Sequence, residues 1–574
     1  MCGITGIYGL ADKSLIRKMT DKISYRGPDS DGYLVDDKIS IGFRRLSIID
    51  LSTGDQPIWN EDKNIAITFN GEIYNYLSLK EELIKKGHKF STSSDTETIL
   101  HAYEDCGMTA FTKLNGMFAI SIYDTQKKKL VLARDSIGIK PIYYAFVNGK
   151  LIYGSEIKCI LESGEIMAEV DREALSSYLT FGTVLGDKTL FKGIKKLLPS
   201  HTLTFDGKRL EITKFTPEKV KLPQNANLYS VLKDSVRAQL MSDVPLGAFL
   251  SGGIDSSTIV GLMAEINKET KNEKPIETFT VGFGQESDEL KYAKIVSDYF
   301  ETNHHEIMIV PEDIPKQIDE LVHHYDDLTW DSACLPVYLV SSLARKHVKV
   351  VLSGEGSDEL FAGYERYRPF SNSLPIPKFA RFLLYEQFIR MFPNSLRTRI
   401  GGFNSSYADQ VLDGYKKVQG NALENVMNFE FNEFLPHQLL NKADKATLGA
   451  SVEGRVPFLD NSVIQFAKTI PLDQKLNGFT GKYVLRQAVK YLVPKITKTR
   501  AKKGFGASPI FWFKNKDILN YAMNYLEKPM LKEVGLDLSI CKELAEFKGF
   551  RPSKKAYQLW SLFLLEKWYR EFIK

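Results

Sequence analysis

The order of apolar and polar residues predicts two kinds of sheet in this chain. Up to about residue 205, short strands alternate with turns and helices, as at 3–8 and 117–123. Beyond that point, helical stretches separate apolar runs that are typical of buried strands. These runs are 244–250, 278–283, 304–309 and 349–352. We therefore expect an α/β protein whose second half contains a parallel sheet.

A glycine-rich loop follows the first of these buried strands and leads into a helix predicted over 258–264. The loop contains Ser251, Gly252, Gly253, Asp255 and Ser256. Its glycines let the backbone approach a ligand closely, and N–H groups at a helix N-terminus suit a phosphate. Asp255 would repel a bare phosphate, so we expect Mg²⁺ between them. The loop has no lysine and is not a Walker loop, and a plain Gly-Ser turn is the alternative.

A second glycine-rich loop, at 353–359, follows the strand at 349–352 and is also acidic. Ligands of open α/β sheets bind outside the carboxyl ends of the strands, so both loops should face one crevice. Asp255 and Asp358 are then the expected Mg²⁺ ligands, because Mg²⁺ prefers carboxylate and phosphate oxygens. An exposed acidic turn is the alternative for this loop.

The chain begins Met-Cys-Gly-Ile, which places a thiol at position two. Removal of the initiator methionine would give Cys2 a free α-amine, which titrates near pH ~8 and can act as the base for its own thiol. The alternative is a chance cysteine in a buried strand, since free cysteines are usually buried and inert.

Polar residues in the same half have both structural and functional explanations. Asn70 and Gly71 lie between apolar stretches and could form a hairpin turn. Arg45 could make a surface ion pair. Ser94 and Glu97 have the spacing of a capping box, so Asp95 could be a charge at the start of a helix.

Composition excludes several classes of protein. The 574 residues are enough for two or three domains, and 43% hydrophobic with 26% charged residues is ordinary for a soluble globular protein. A net charge of +5 without a basic block gives no indication of nucleic-acid binding. The five cysteines are scattered, and no signal peptide or membrane-spanning run is predicted. We therefore expect a cytoplasmic protein with small-molecule substrates and no nucleic-acid or membrane partner.

The motifs of the first half together resemble the N-terminal-nucleophile glutamine amidotransferases. They occur in the order M-C-G-I, R-G-P-D, R-L-S-I-I-D, N-G-E-I-Y-N, S-D-T-E and G-M-F-A. The resemblance implies a four-layer αββα fold, Cys2 as nucleophile, and an oxyanion hole from Asn70 and Gly71. It also implies that Arg45 pairs with the glutamine α-carboxylate and Asp95 with the α-ammonium. The implied glutamine-binding residues are Arg45, Leu46, Ser47, Ile48, Ile49, Asn70, Gly71, Glu72 and Asp95.

The loop S-G-G-I-D-S-S resembles the pyrophosphate loop of ATP pyrophosphatases, which cleave ATP between the α and β phosphates. With K-A-D-K-A-T at 442–447 and the segments 451–460 and 500–505, the second half resembles the synthetase half of the glutamine-hydrolysing asparagine synthetases. The implied co-substrate is ATP with Mg²⁺. The implied ATP-binding residues are Leu250, Ser251, Gly252, Gly253, Asp255, Ser256, Val281, Ser353 and Gly354.

The same resemblance implies two further catalytic residues. Lys502 would stabilise charge on the α-phosphate, with Lys503 as its rival. Glu355 would accept a proton from attacking ammonia or position the intermediate. Between 367 and 440, and beyond about 509, the chain looks helical and carries no motif.

We therefore predict an αββα glutaminase domain at 1–205, a linker at 206–227 and an ATP-dependent synthetase domain at 228–574. The expected function is glutamine-dependent asparagine synthesis, with a homodimer left open. The alternative is a family amidotransferase for another carboxylate, such as a uronic acid, because 325–336 contains no arginine to meet the acceptor. A catalytically silent sensor or scaffold is a third class, which the intact Cys2 and Asp255 argue against.

Overall fold

The computed structural model describes most of the chain. The described residues are 2–283, 289–310, 314–371, 374–401, 406–416, 420–499, 508–549 and 551–574. Lys502 and Lys503 lie outside them. Among the described residues, no helix has the length and apolarity that a membrane span requires.

The strands of the N-terminal half are antiparallel and form two sheets. In chain order they are β1 (Cys2–Tyr8), β2 (Ser30–Asp36), β3 (Ile39–Arg45), β4 (Ile58–Trp59), β5 (Ile65–Ile73), β6 (Gly116–Asp124), β7 (Lys129–Arg134), β8 (Tyr143–Val147), β9 (Lys150–Gly154), β10 (Ile194–Lys196), β11 (His201–Phe205) and β12 (Leu210–Lys214). One sheet has the order β10-β8-β9-β1-β3-β2 and the other β12-β11-β7-β6-β5-β4. The last strand thus ends at Lys214, inside the segment predicted as a linker.

Helices cover the outer faces of these sheets. They are α1 (Lys13–Asp21), α2 (Tyr76–Lys85), α3 (Asp95–Cys106), α4 (Ala110–Lys113), α5 (Ile157–Glu162) and α6 (Arg172–Phe181). Ile16 of α1 packs with Ile7 of the first sheet, and Ile99 of α3 packs with Phe69 of the second. A third apolar cluster, which includes Ile4 of β1, lies between the sheets. The predicted αββα layers are confirmed.

The second half contains the predicted parallel sheet. Its strands are β13 (Leu246–Phe249), β14 (Glu277–Gly282), β15 (Asn303–Met308), β16 (Val350–Leu352) and β17 (Glu453–Arg455). They are parallel and ordered β15-β14-β13-β16-β17. A small antiparallel pair, β18 (Leu476–Asn477) and β19 (Thr480–Gly481), lies apart from this sheet. The sequence pattern predicted the first four strands but not β17.

Helices occupy most of the remaining chain. They are α7 (Leu228–Gln239), α8 (Ile254–Glu269), α9 (Glu289–Phe300), α10 (Ile314–His324), α11 (Cys334–Ala344), α12 (Ser357–Phe361), α13 (Lys378–Ile389), α14 (Asn394–Arg399), α15 (Ser406–Lys416), α16 (Ala422–Phe429), α17 (Leu440–Gly449), α18 (Asn461–Thr469), α19 (Leu472–Lys475), α20 (Tyr483–Ala488), α21 (Lys495–Thr499), α22 (Pro509–Trp512), α23 (Lys516–Leu526), α24 (Cys541–Ala545) and α25 (Pro552–Phe572). A π-helical segment, Glu430–Leu439, leads into α17. The described parts of the two segments without motifs are largely helical, as predicted.

The two halves share a hydrophobic core. The Phe191 ring lies 4.8 Å from that of Trp568, centroid to centroid, although one residue belongs to each half. Gly182, at φ +77, leaves room for Trp330, because a Cβ on that glycine would lie 1.3 Å from the indole Cδ1. This packing holds the αββα layers against the α/β half.

Candidate active sites

The start of β1 places Cys2 beside Asn70 in the interior of the N-terminal half. Only 8% of Cys2 and none of Asn70 is exposed. The Cys2 backbone nitrogen donates to Asn70 Oδ1 at 3.0 Å. Burial raises the pKa of the Cys2 thiol, and the backbone N–H of Leu46 acts in the opposite direction. The thiol therefore needs a base to become a nucleophile at neutral pH.

Asn70 and Gly71 lie inside β5 and not in a turn, so the hairpin alternative is wrong. Asn70 pairs with Ala119 of β6, and a Cβ on Gly71 would lie 2.0 Å from the Met117 carbonyl oxygen. Among the described residues, no hydrogen-bond partner is found for the buried Asn70 Nδ2. Leaving a buried donor unpaired costs about 1–3 kcal/mol, which an oxyanion ligand would recover.

Arg45 and Asp95 lie on elements that border this site. Arg45 is opposite Cys2 in the β1–β3 pairing, and its Nη1 contacts the exposed Asp55 at 2.8 Å. Asp95 begins α3 and accepts from the backbone N–H of Ile73 at 3.0 Å. Burial raises the pKa of Asp95 to about 6. A glutamine α-carboxylate at Arg45 would thus replace Asp55.

The other residues predicted to bind glutamine have different surroundings. Leu46 and Ile48 are buried in an apolar cluster that also contains side chains of the second half. Ile49 is partly buried, and the Ser47 backbone N–H donates to Asp29. Glu72 is buried, and its Oε2 accepts from Nη2 of Arg455 at 3.1 Å.

The predicted capping box at α3 is only half formed. The Ser94 hydroxyl accepts from the Thr96 N–H at 3.1 Å, as an N-cap should. The Glu97 carboxylate instead accepts from the backbone N–H groups of Ser91 and Thr92. Glu97 therefore fixes the chain that precedes the helix and does not reach back to Ser94.

A cavity of about 420 Å³ lies at the carboxyl ends of β13 and β16, as predicted for the two loops. The predicted residues that line it are Ser251, Gly253, Asp255, Ser256, Ser353, Gly354, Glu355 and Asp358. Leu250 and Val281 instead have their side chains in the apolar core. Gly252 has φ +68, and a Cβ there would lie 2.4 Å from the Tyr292 carbonyl carbon.

Two carboxylates converge on Lys482 in this cavity. The Lys482 ammonium lies 2.6 Å from Asp255 Oδ2 and 2.9 Å from Asp358 Oδ1. Asp255 Oδ1 also accepts from the Ser357 hydroxyl at 2.7 Å. The two predicted metal ligands therefore surround one cationic position, and their donor type suits Mg²⁺. Sequence reasoning missed Lys482, which is far along the chain and carries no loop motif.

A chain of buried contacts joins the two sites. Arg26 Nε donates to the Cys2 carbonyl at 3.3 Å, and its Nη2 contacts Asp444 at 2.9 Å. Lys140 contacts the other oxygen of Asp444 at 3.2 Å. Asp444 and Lys140 both line the nucleotide-sized cavity. Arg26 belongs to the R-G-P-D motif and Asp444 to K-A-D-K-A-T. The sequence did not indicate that these two motifs contact each other.

The comparisons with known proteins agree with this arrangement. The profile described as Asparagine synthase matches residues 227–570, and that described as Glutamine amidotransferase domain matches 1–216. The chain belongs to the asparagine synthase family. It is 35% identical to "Asparagine synthetase [glutamine-hydrolyzing] 1" of Bacillus subtilis, over 99% of this chain and 96% of that protein. It is also 31% identical to "Asparagine synthetase [glutamine-hydrolyzing]" of Zea mays, over 85% of this chain and 74% of that protein.

This asparagine synthase family member has a charged contact where the acceptor was expected to meet an arginine. Asp331 lies in that segment, and its carboxylate is 3.3 Å from the Lys442 ammonium. Lys442 also lies 3.6 Å from Glu355, the predicted proton acceptor. Lys442, which sequence reasoning named only as part of K-A-D-K-A-T, is therefore a buried cation between Asp331 and Glu355. The described residues lining the cavity also include the basic Arg486 and Lys498.

Proposed function

We propose that this protein is a glutamine-dependent asparagine synthetase. It hydrolyses glutamine to glutamate and ammonia, activates aspartate with ATP, and releases asparagine, AMP and pyrophosphate. The observation that carries the proposal is a buried Cys2–Asn70 pair in the same chain as a two-loop cavity with converging carboxylates. The names of the full-length relatives support it.

The glutaminase step follows from the surroundings of Cys2. Once Met1 is removed, the α-amine takes the thiol proton, and the sulfur attacks the glutamine side-chain carbonyl carbon. Asn70 Nδ2 and the Gly71 N–H stabilise the oxyanion, at about 3 kcal/mol per donor. The C–N bond breaks, ammonia leaves with the proton, and water hydrolyses the thioester to glutamate.

The synthetase step needs a better leaving group than oxide. The aspartate carboxylate attacks the α-phosphorus of ATP, and pyrophosphate leaves against Lys482 and the backbone N–H groups of the Ser251 loop. Ammonia then attacks the acyl-adenylate, Glu355 accepts its proton, and AMP leaves. Asp255 and Asp358 would hold Mg²⁺, which supplies neutralisation of phosphate charge. Lys502 remains the predicted contact to the α-phosphate.

We assign the glutaminase to 1–205 together with β12 and the synthetase to 228–574, and the rest of 206–227 joins them. The chain's cysteines Cys2, Cys106, Cys159, Cys334 and Cys541 are free thiols, which suits the reducing cytoplasm where we place the enzyme.

The alternative is that the enzyme amidates a carboxylate other than aspartate, and one observation favours it. Asp331 stands in the segment where an arginine was expected, and its charge is matched by Lys442. Another carboxylate, such as a uronic acid, would then replace aspartate while the adenylate chemistry stays the same. A screen of carboxylate acceptors, scored by pyrophosphate release, separates the two.

The leaving group tests the proposal itself. With glutamine, aspartate and ATP, AMP and pyrophosphate should appear in equal amounts, and ¹⁸O from the aspartate carboxylate should appear in AMP. A γ-phosphoryl transfer would instead give ADP and ¹⁸O in orthophosphate. That outcome would reject the adenylate mechanism.

A further inference from the structure

Two glutamates and two histidines meet at the edge of the N-terminal half, away from Cys2. They come from three segments: the turn between β4 and β5, the chain after α2, and α3. They are Glu61, His88, His101 and Glu104, and one ligand atom from each lies within 4.8 Å of the others. No step of the proposed function uses these side chains.

Three separations within this group, from 2.7 to 3.6 Å, can be compared with those of a tetrahedral zinc site. Zn–N and Zn–O bonds of about 2.0–2.2 Å place the ligand atoms roughly 3.4 Å apart. Nδ1 of His88 lies 3.6 Å from one Glu61 oxygen, and Nδ1 of His101 lies 3.4 Å from the other. Nδ1 of His101 lies 2.7 Å from Glu104 Oε2. Small side-chain shifts would place all four around one ion.

The outer contacts hold these ligands in place. Glu61 Oε1 accepts from the Lys89 backbone N–H at 2.9 Å, and Glu104 Oε1 accepts from Asn60 Nδ2 at 2.5 Å. His101 has no exposed surface, and its Nε2 lies 3.6 Å from Glu97 Oε1. At this separation the two atoms are not hydrogen-bonded, so Glu97 adds a negative charge beside His101 and no direct bond to its ring.

The charge of the cluster favours a dication. Glu61, Glu97 and Glu104 bring three carboxylates to two imidazoles. Even with both imidazoles protonated, one negative charge would remain. Imidazole nitrogen with carboxylate oxygen is a donor set that zinc accepts.

We propose that Glu61, His88, His101 and Glu104 bind a structural zinc ion that fastens α3 to the β4–β5 turn and to the chain after α2. All four positions would be filled by protein atoms, so the site would hold the fold and not activate water. Because α3 begins at Asp95, the ion would fix the helix that carries the proposed contact to the glutamine ammonium. The site is independent of the acceptor and of the adenylate chemistry.

The test uses the full-length protein, stripped with a chelator and titrated with ZnCl₂ by calorimetry. Wild-type protein should take up one tightly bound ion, and His88→Ala should weaken its affinity at least about tenfold. The matched control is His347→Ala, which removes a histidine from another group, Glu277, His305 and His347, in the second half. That control should bind zinc as wild type does. Absence of tight binding, or loss of the tight ion in His347→Ala alone, would overturn the proposal.

A second measurement separates ligation from a merely structural role of the histidine. X-ray absorption at the zinc edge should show only nitrogen and oxygen ligands at about 2.0–2.2 Å, including imidazole scattering. Zinc should raise the melting temperature of wild type and His347→Ala but not of His88→Ala, since a ligand stabilises only the state that binds it. Sulfur in the first shell, or an equal rise in all three proteins, would contradict the assignment.

Discussion

Cys2 and Asn70 show which properties of single residues could be predicted from the sequence. The motifs around them predicted their roles, and the structure places the two side by side inside the αββα layers. That Asn70 Nδ2 finds no partner in the part of the chain that the structure describes could not be predicted, because it depends on residues far from Asn70 in sequence. The same holds for Asp95, whose raised pKa follows from burial and not from its neighbours in sequence.

Replacing Cys2 should separate the two proposed activities. Cys2→Ala removes the nucleophile, so glutamate release from glutamine should fall to background, while ammonium chloride should still support pyrophosphate release. The matched control is Cys159→Ala, a buried thiol in α5 that has no part in the proposed glutaminase step. It should lower stability slightly and leave glutamate release in place. Glutamine hydrolysis by Cys2→Ala would refute the assignment of the nucleophile.

Asp95 gives the glutaminase a predictable pH dependence. Burial raises its pKa to about 6, so the carboxyl becomes neutral as the pH falls through that value. A neutral Asp95 would make a weaker contact with the glutamine ammonium that we propose it binds, and kcat/KM for glutamine should therefore fall below pH ~6. Ammonia-dependent synthesis, corrected for the concentration of free ammonia, is the control and should not share this inflection. In Asp95→Asn the inflection should vanish; its persistence would assign it to another group.

The start of α8 shows how accurately the bounds of helices and strands could be predicted from the sequence. The strand–loop–helix order was correct, but the helix begins at Ile254 and not at 258. Its N-cap is Gly253, and Asp255 lies in the first turn, where a negative charge suits the helix dipole. Lys482 precedes α20 and β17 is very short, so neither had a sequence pattern that placed it at the cavity.

Lys482 should be required for the ATP-dependent reaction but not for glutamine hydrolysis. Lys482→Gln removes the ammonium that contacts Asp255 and Asp358, so the departing pyrophosphate would lose one of its cationic contacts. We expect pyrophosphate release to fall by about two orders of magnitude if roughly 3 kcal/mol of charge stabilisation is lost. The control is Lys490→Gln, an exposed lysine near the same helix, which should behave as wild type.

Glutamate release from glutamine, measured without ATP, is the activity that Lys482→Gln should leave unchanged. It should equal that of wild type, because the Cys2 site lies in the other half. Equal loss of both activities would instead indicate that the substitution disturbs the whole fold.

In the whole molecule, buried charged residues as well as apolar side chains make contacts between the two halves. The sequence predicted two domains, but not that Arg26 bonds Cys2, Glu156 and Asp444 together. Such a network depends on side chains that are far apart along the chain. No local pattern of hydrophobic and polar residues encodes it.

Removing Arg26 should lower the stability of the protein and weaken the coupling between glutamine hydrolysis and pyrophosphate release. Arg26→Leu takes the guanidinium from two buried carboxylates, and breaking a buried pair in this way costs about 3–5 kcal/mol, less whatever Lys140 and Lys158 restore. The Cys2 carbonyl also loses its donor. We therefore expect a lower unfolding midpoint and a ratio of glutamate to pyrophosphate above one.

Arg44→Leu is the matched control for Arg26→Leu, since Arg44 is also an arginine of the glutaminase half. Its partners Asp21 and Asp31 are 61% and 45% exposed, so losing these contacts should cost only about 0–1 kcal/mol. The midpoint and the product ratio should therefore stay near those of wild type. If Arg26→Leu were destabilised but kept a ratio of one, Arg26 would be structural only. If it matched Arg44→Leu in both measurements, the buried network would not connect the two halves energetically.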